Sequence, residues 1–163
     1  MIDKDLHDVT LEVNGERHAI RVESRRTLAD TIREECGLTG THLGCEHGVC
    51  GACTVLLDGQ PVRACLMFAV QADGRSLRTV EGLARGATLS TLQRAFIEHH
   101  ALQCGFCTPG FLMLGTMILE RQPDISDEAL VDVLSSNLCR CTGYVNIAKA
   151  VRAALAAMQA EAG

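Results

Sequence analysis

Gly44-Cys45-Glu46-His47-Gly48-Val49-Cys50-Gly51-Ala52-Cys53-Thr54-Val55 sets three cysteines on one short loop that runs straight into an apolar strand pattern. With Cys65 downstream the series is Cys45-x4-Cys50-x2-Cys53-x11-Cys65, the spacing by which plant-type [2Fe-2S] clusters are held. Three thiolates on one loop can surround two irons only if the backbone turns tightly about them. Gly44, Gly48 and Gly51 are expected to supply the unusual conformations this needs. Their N–H groups can then face the sulfurs, where such donors stabilise an added electron and tune the potential. The fourth ligand, Cys65, is expected on a hairpin strand that ties the loop to a sheet.

The flanking sequence supports a sheet on this side of the chain. Val9, Leu11 and Val13 alternate, Asn14-Gly15 forms a turn, and Ile20 and Val22 continue the alternation, which reads as a β-hairpin. Thr27, with Asp30 three residues on, caps a helix that buries Leu28 and Ile32 and stops at Gly37. After the cysteine loop a second hairpin is expected from Thr54–Leu57, a turn at Asp58-Gly59 and residues 62–68, with a last short strand over residues 77–80. Beyond Val80 the apolar spacing becomes helical. Four helices are marked by Leu89, Leu92 and Phe96; by Leu112, Thr116 and Leu119; by Leu130, Val133 and Leu134; and by Ile147, Val151, Leu155 and Met158. Ser126 fits an N-cap with Asp127 and Glu128 in the first turn, and Gly82 with Gly86 marks the connection between the halves. The division expected is residues 1–80 and 81–163, each small enough to want a staple.

The second half carries its own cysteines, Cys104-x2-Cys107 and Cys139-x1-Cys141. Pro109 fits the first turn of a helix starting near Thr108, so the first pair lies by a helix N-terminus, where partial positive charge favours thiolates. Cys139 and Cys141 are expected to close the third helix, and Gly143 turns the chain into the fourth. Two such pairs can bind zinc as readily as iron; the first group shifts the reading towards a second [2Fe-2S] cluster. A Rieske centre is set aside, because Cys45-Glu46-His47 gives one C-x-H step and no later C-x2-H supplies the second histidine. Neighbouring His99 and His100 point about 100° apart on a helix and read as exposed helix-end residues. Cys36, the ninth cysteine, reads as a small buried residue beside Ile32, and Met113 and Met117 read as core.

A length of 163 residues with 47% apolar content is that of a folding chain. Disulfides would suit a secreted protein, but the charged start Met1-Ile2-Asp3-Lys4-Asp5 does not read as a signal peptide. The apolar stretch 111–119 falls well short of the ~20 residues of a membrane span. A soluble, cytoplasmic chain with reduced thiols is expected. A net charge of −5 with no basic patch argues against nucleic acid. No G-x-G-x-x-G, P-loop or Ser/His/Asp signature is present, so no catalytic residue is expected on this chain.

Three motifs in order, the loop quoted above, Gln103-Cys104-Gly105-Phe106-Cys107-Thr108-Pro109-Gly110, and Cys139-Arg140-Cys141-Thr142-Gly143-Tyr144, resemble the small iron–sulfur subunit of the xanthine oxidase family of molybdenum hydroxylases. The resemblance runs from about Val9 to Met158 with no departure at a ligand position. It implies an α+β chain: an N-terminal β-grasp, plant-type ferredoxin-like domain, then a C-terminal four-helix iron–sulfur domain. It further implies two [2Fe-2S] clusters passing electrons from a molybdenum–pterin cofactor on a large partner subunit to FAD on a medium subunit or to another acceptor. By the same resemblance Gln103 and Cys141 approach the pterin, and the ferredoxin-like cluster faces the acceptor. A free-standing ferredoxin shuttle is the rival reading. The helical half opposes it, and Phe106, Phe111 and the residues around Tyr144 are expected to form a surface for a permanent neighbour. A colourless zinc scaffold is the second rival.

Overall fold

The structure is a computed structural model that describes residues 5–162. The charged start, Met1 to Lys4, and Gly163 lie outside the described residues. Strands β1 (Leu6–Val13) and β2 (Glu16–Glu23) pair antiparallel from Leu6↔Glu23 to Val13↔Glu16. Asn14 (φ 54°) and Gly15 (φ 86°) both take the left-handed conformation, as a two-residue turn between twisted strands requires. The alternation does what it predicts: Val9, Leu11 and Val13 are 3, 0 and 1% exposed. β3 (Thr54–Leu57) and β4 (Gln60–Arg63) form the second hairpin, again with two left-handed turn residues, Asp58 (φ 49°) and Gly59 (φ 74°). β5 (Ser76–Arg78) inserts between β1 and β3, parallel to the first and antiparallel to the second, giving the mixed order β2-β1-β5-β3-β4. The Thr27 hydroxyl caps a short helix, α1 (Leu28–Asp30), which continues as a π-helical segment, Thr31–Glu35, and presses Leu28 and Ile32 into the sheet core. Gly37 (φ 70°) follows its end.

Two strand expectations need correcting. β4 stops at Arg63, and Cys65 sits on a 3₁₀ turn, Ala64–Leu66, rather than on the strand. Arg63 pairs with Thr54, the first residue of β3, so no partner strand exists beyond it and the ladder ends there. Similarly, β5 ends at Arg78 because the Asn14 side-chain oxygen takes the Thr79 N–H (2.9 Å) and the chain turns into a 3₁₀ segment, Val80–Leu83.

The second half holds α2 (Thr91–Glu98), α3 (Thr108–Arg121), α4 (Asp127–Ser135) and α5 (Val145–Ala162). Ser90 and Gln93 form a capping box on α2, and Ser126 caps α4. The apolar helix α3 is the hub: Phe111, Met113, Leu114, Met117 and Ile118 are buried, with α2, α5 and β3 packed against it. Phe111 is therefore core, 0% exposed and edge-on to Tyr144 at 6.3 Å, and not part of a docking surface as expected. β3 is buried on both faces: Val55 and Leu57 belong to the sheet core, Leu56 to the helical one. Among the described residues no helix is long and apolar enough to cross a membrane.

Candidate iron–sulfur centres

The structure gathers the first cysteine group on the loop before β3 and the turn after β4. Gly48 (φ 84°) and Gly51 (φ 72°) are left-handed, as the tight wrap requires. Gly44 serves differently: it does not take that conformation, but a Cβ there would crowd the Cys50 sulfur at 3.2 Å and the Phe106 ring at 3.3 Å. Glu46 is left-handed as well (φ 54°), which no residue preference signals. The Cys50 N–H donates to the Cys45 sulfur at 3.3 Å. That bond, with the His47 N–H, lowers the Cys45 thiol to about 6. Burial, together with a hydrogen bond to Cys53, pushes Cys65 up to about 11. His47 is an exposed loop residue with its ring nitrogen against the Cys45 carbonyl.

In the second group Cys107 is the N-cap of α3, with Pro109 in its first turn. α4 ends at Ser135, so Cys139 and Cys141 lie on the loop to α5 rather than closing the helix. That loop leaves the helix axis because Asn137 and Leu138 bond to the first half instead. The Cys104 and Cys141 sulfurs stand 3.6 Å apart. Two thiolates sharing one tetrahedral metal at ~2.3 Å would be about 3.8 Å apart, so this pair has the spacing of two ligands on one metal ion. Cys107 and Cys139 form the other pair. Cys104 also lies within charge range of Cys107, and Cys139 of Cys141, so the four sulfurs form one group.

Crowded thiols resist ionisation until a cation neutralises them. Burial and the bond to Cys139 push Cys107 up to about 12, and the contact with Cys104 raises Cys141. Cys139 goes the other way: burial opposes its thiolate, but the Thr142 hydroxyl, 3.1 Å from its sulfur, and the N–H groups of Thr142 and Cys141 outweigh it. The Cys139 N–H donates to the Tyr144 hydroxyl (3.1 Å), held by a left-handed Tyr144 backbone (φ 67°). The Gln103 side-chain N–H donates to the Cys141 carbonyl at 3.2 Å, and both residues are exposed.

The loops of the two groups touch. His42 stacks on Phe106 with ring centroids 5.1 Å apart, and its Nδ1 lies 2.8 Å from the Phe106 carbonyl. The Leu138 N–H donates to the Cys50 carbonyl (2.9 Å) and the Asn137 side chain to Gly51 (3.3 Å). Sequence reasoning missed His42, Asn137 and Arg63, which carry no spacing pattern of their own. Cys36 lies apart from both groups, half-buried against the sheet core, with burial raising its thiol. His100 is exposed as expected, while His99 is half-buried at the end of α2. Large apolar side chains close in sequence to the cysteines are exposed: Val49 and Leu66 near the first group, Leu102, Phe106 and Leu138 near the second, with Phe106 at the junction of the two loops. A hollow of about 290 Å³ beside the second is lined by Val131, Leu134, Ser135, Tyr144 and Ala148.

Both halves of the chain match families of known proteins. The family described as "2Fe-2S iron-sulfur cluster binding domain" matches residues 11–84, and that described as "[2Fe-2S] binding domain" matches residues 79–152. The chain is 58% identical over 147 residues to the nicotine 6-hydroxylase small subunit of Paenarthrobacter nicotinovorans, covering 90% of this chain and 88% of that one. Its fold superposes on a chain of quinoline 2-oxidoreductase from Pseudomonas putida with a TM-score of 0.91 and 49% identity, over 96% of this chain and 98% of that one. It also superposes on the aldehyde oxidoreductase of Desulfovibrio desulfuricans (TM-score 0.90, 41% identity), matching 94% of this chain but only 17% of that longer one. With both [2Fe-2S] domains present in order and this degree of identity over nearly its whole length, the chain belongs to the small iron–sulfur subunits of the xanthine oxidase family of molybdenum hydroxylases.

Proposed function

We propose that Cys45, Cys50, Cys53 and Cys65 hold one [2Fe-2S] cluster within residues 1–80, and that Cys104, Cys107, Cys139 and Cys141 hold the other within residues 81–163. The chain then carries electrons from a molybdenum–pterin site on a large partner to a FAD-bearing subunit or another acceptor, in the cytoplasm. When bound, the clusters supply one-electron reduction and reoxidation. The protein's part is to hold them close, in fixed surroundings. The observation that carries the reading is the bond from the Leu138 N–H to the Cys50 carbonyl, 2.9 Å. Cys50 belongs to one ligand set and Leu138 adjoins Cys139 of the other, so one hydrogen bond and a few covalent bonds connect them.

Gln103 and Cys141 are exposed side by side, which supports their meeting the pterin on the partner. The exposed apolar side chains near the cysteines support docking to a partner, because side chains of this size gain by being covered. A permanent place in a complex, rather than a shuttle, is supported by the aldehyde oxidoreductase, in which the same fold is part of a longer chain. Relatives named for nicotine and quinoline stand at higher identity than that aldehyde oxidoreductase; we extend the reading to an aromatic N-heterocycle as the substrate class of the complex.

The test is an EPR spectrum of the anaerobically reduced chain at several temperatures, with spins counted against protein. Two distinct signals and about two spins per chain are expected. One signal with zinc found by elemental analysis would turn the helical centre into a structural metal site. No signal from a metal-replete sample would overturn the electron-transfer role. Isolation as a lone monomer from its native host would favour the shuttle.

A further inference from the structure

The three residues that lead into Cys139 each grip the other half of the molecule. The Ser136 carbonyl accepts from Arg63 Nη2 (2.6 Å), the Asn137 side-chain amide donates to the Gly51 carbonyl (3.3 Å), and the Leu138 N–H donates to the Cys50 carbonyl (2.9 Å). Arg63 also bonds the Thr54 hydroxyl, next to Cys53. Ser136 and Leu138 contribute only main chain, which any residue would supply. Asn137 alone uses its side chain.

That side chain is an odd one to bury. Asn137 is 1% exposed, and its Oδ1 has no hydrogen-bond partner. A buried polar atom left unpaired is a cost that folding does not need here. The amide cannot be turned to relieve it, because the reversed orientation would set two oxygens against each other at Gly51. Room for the amide is made by two positions that lack a Cβ. A Cβ on Gly51 would overlap Asn137, and one on Gly110, at the start of α3, would overlap the Gly51 carbonyl and come within 3.1 Å of Asn137 Nδ2. The loop of the first group, the loop of the second and the first turn of α3 therefore meet at one amide.

We propose that Asn137 is a positioning residue for electron transfer within the chain: it fixes the separation and orientation of the two cluster-holding loops. An apolar side chain could fill the same space, but it would not fix the register of one loop on the other as a hydrogen bond to a single carbonyl does. The inference rests on the ligand sets proposed above.

The test uses the full chain loaded with both clusters, as wild type, Asn137→Ala and Asn137→Leu. The magnetic interaction between the two reduced clusters, read by EPR, falls steeply as they separate or reorient, and a merely structural contact would not set it. Both variants are expected to keep about two spins per chain and the individual cluster signals, but to lose the wild-type splitting. An unchanged splitting in the two variants overturns the proposal. So does loss of a cluster from both, since Asn137 would then serve assembly and not spacing. Fewer than two spins in the wild type would instead sink the ligand assignment.

Discussion

Replacing Gly110 by alanine should destabilise the protein, although the same change usually strengthens a helix. α3 contains two other-than-terminal glycines, Gly110 in its first turn and Gly115 near its middle, and they meet different obstacles. At Gly115 a Cβ would lie 2.9 Å from Leu92 Cδ2, the movable end of a side chain, with Val151 Cγ2 at 3.6 Å. Mild crowding there, about 1 kcal/mol, is offset by the helix-propensity gain of about 1 kcal/mol, and the variant should be near neutral. At Gly110 the obstacles are the Gly51 carbonyl, overlapped outright, and Ala52 Cα at 3.2 Å. These are backbone atoms of a cysteine loop and cannot rotate away. Overpacking against them should cost about 3 kcal/mol, and the propensity gain in a first turn is smaller than at mid-helix. A net loss of about 2 kcal/mol corresponds to a melting temperature lower by roughly 4–8 °C for a chain of this size. The assay is anaerobic thermal unfolding of the cluster-loaded protein by circular dichroism, with Gly115→Ala run at the same scan rate. A Gly110→Ala protein as stable as Gly115→Ala would show that α3 does not approach Gly51 as closely as described.

Other outcomes are equally specific. Phe111→Ala removes a fully buried ring from the helical core and should cost about 3–5 kcal/mol, read as a lower urea midpoint with an unchanged slope. Cys141→Ser should remove or alter one EPR signal and Cys36→Ser neither; a lost cluster in the Cys36 variant would contradict its place in the sheet core. Tyr144→Phe strips the Cys139 N–H of its acceptor, which should cost about 1–3 kcal/mol and, by freeing a donor beside the sulfurs, raise the potential of the helical centre in a redox titration. An unchanged potential would mean that the N–H does not turn towards the sulfurs.

Local rules carried much of this fold. Asn14-Gly15 and Asp58-Gly59 announce their hairpins because few other residues tolerate the left-handed turn, and Ser126 and Thr27 announce helix starts because their hydroxyls satisfy open N–H groups; Leu89, read as part of the next helix, instead precedes its N-cap Ser90. Both cysteine groups were legible from spacing. What escaped was decided between elements. Cys65 leaves the strand because β3 starts at Thr54, opposite Arg63, and offers no partner beyond it, and Phe111 turns inward because α3 is covered by α2, α5 and β3. Glu46 and Tyr144 adopt a glycine-like backbone that their neighbours impose. Asn137 gave no sign at all, since its partner lies 86 positions away.

The way the halves meet also bears on why the chain has a helical half. β3 begins at Thr54, one residue after Cys53, and α3 begins at Thr108, one residue after Cys107. α3 lies on β3, so this packing brings two of the cysteine loops together, and the bonds from residues 136–138 then hold one against the other. The contact is reinforced at its far end by the Arg78 and Glu120 pair, joined through two bonds of 2.8 and 2.6 Å, and by Arg121 bonded to the Asp58 carbonyl. A ferredoxin that worked alone would have its sheet covered on one face and free on the other. Here Leu56 gives the second face of β3 to the helical core, so removing that half would expose apolar surface on an inner strand of the sheet and the carbonyls of Cys50 and Gly51 together. On the ligand sets proposed above, the spacing of the two centres would be set within the folded chain, by α3 on β3 and by the contacts of residues 136–138.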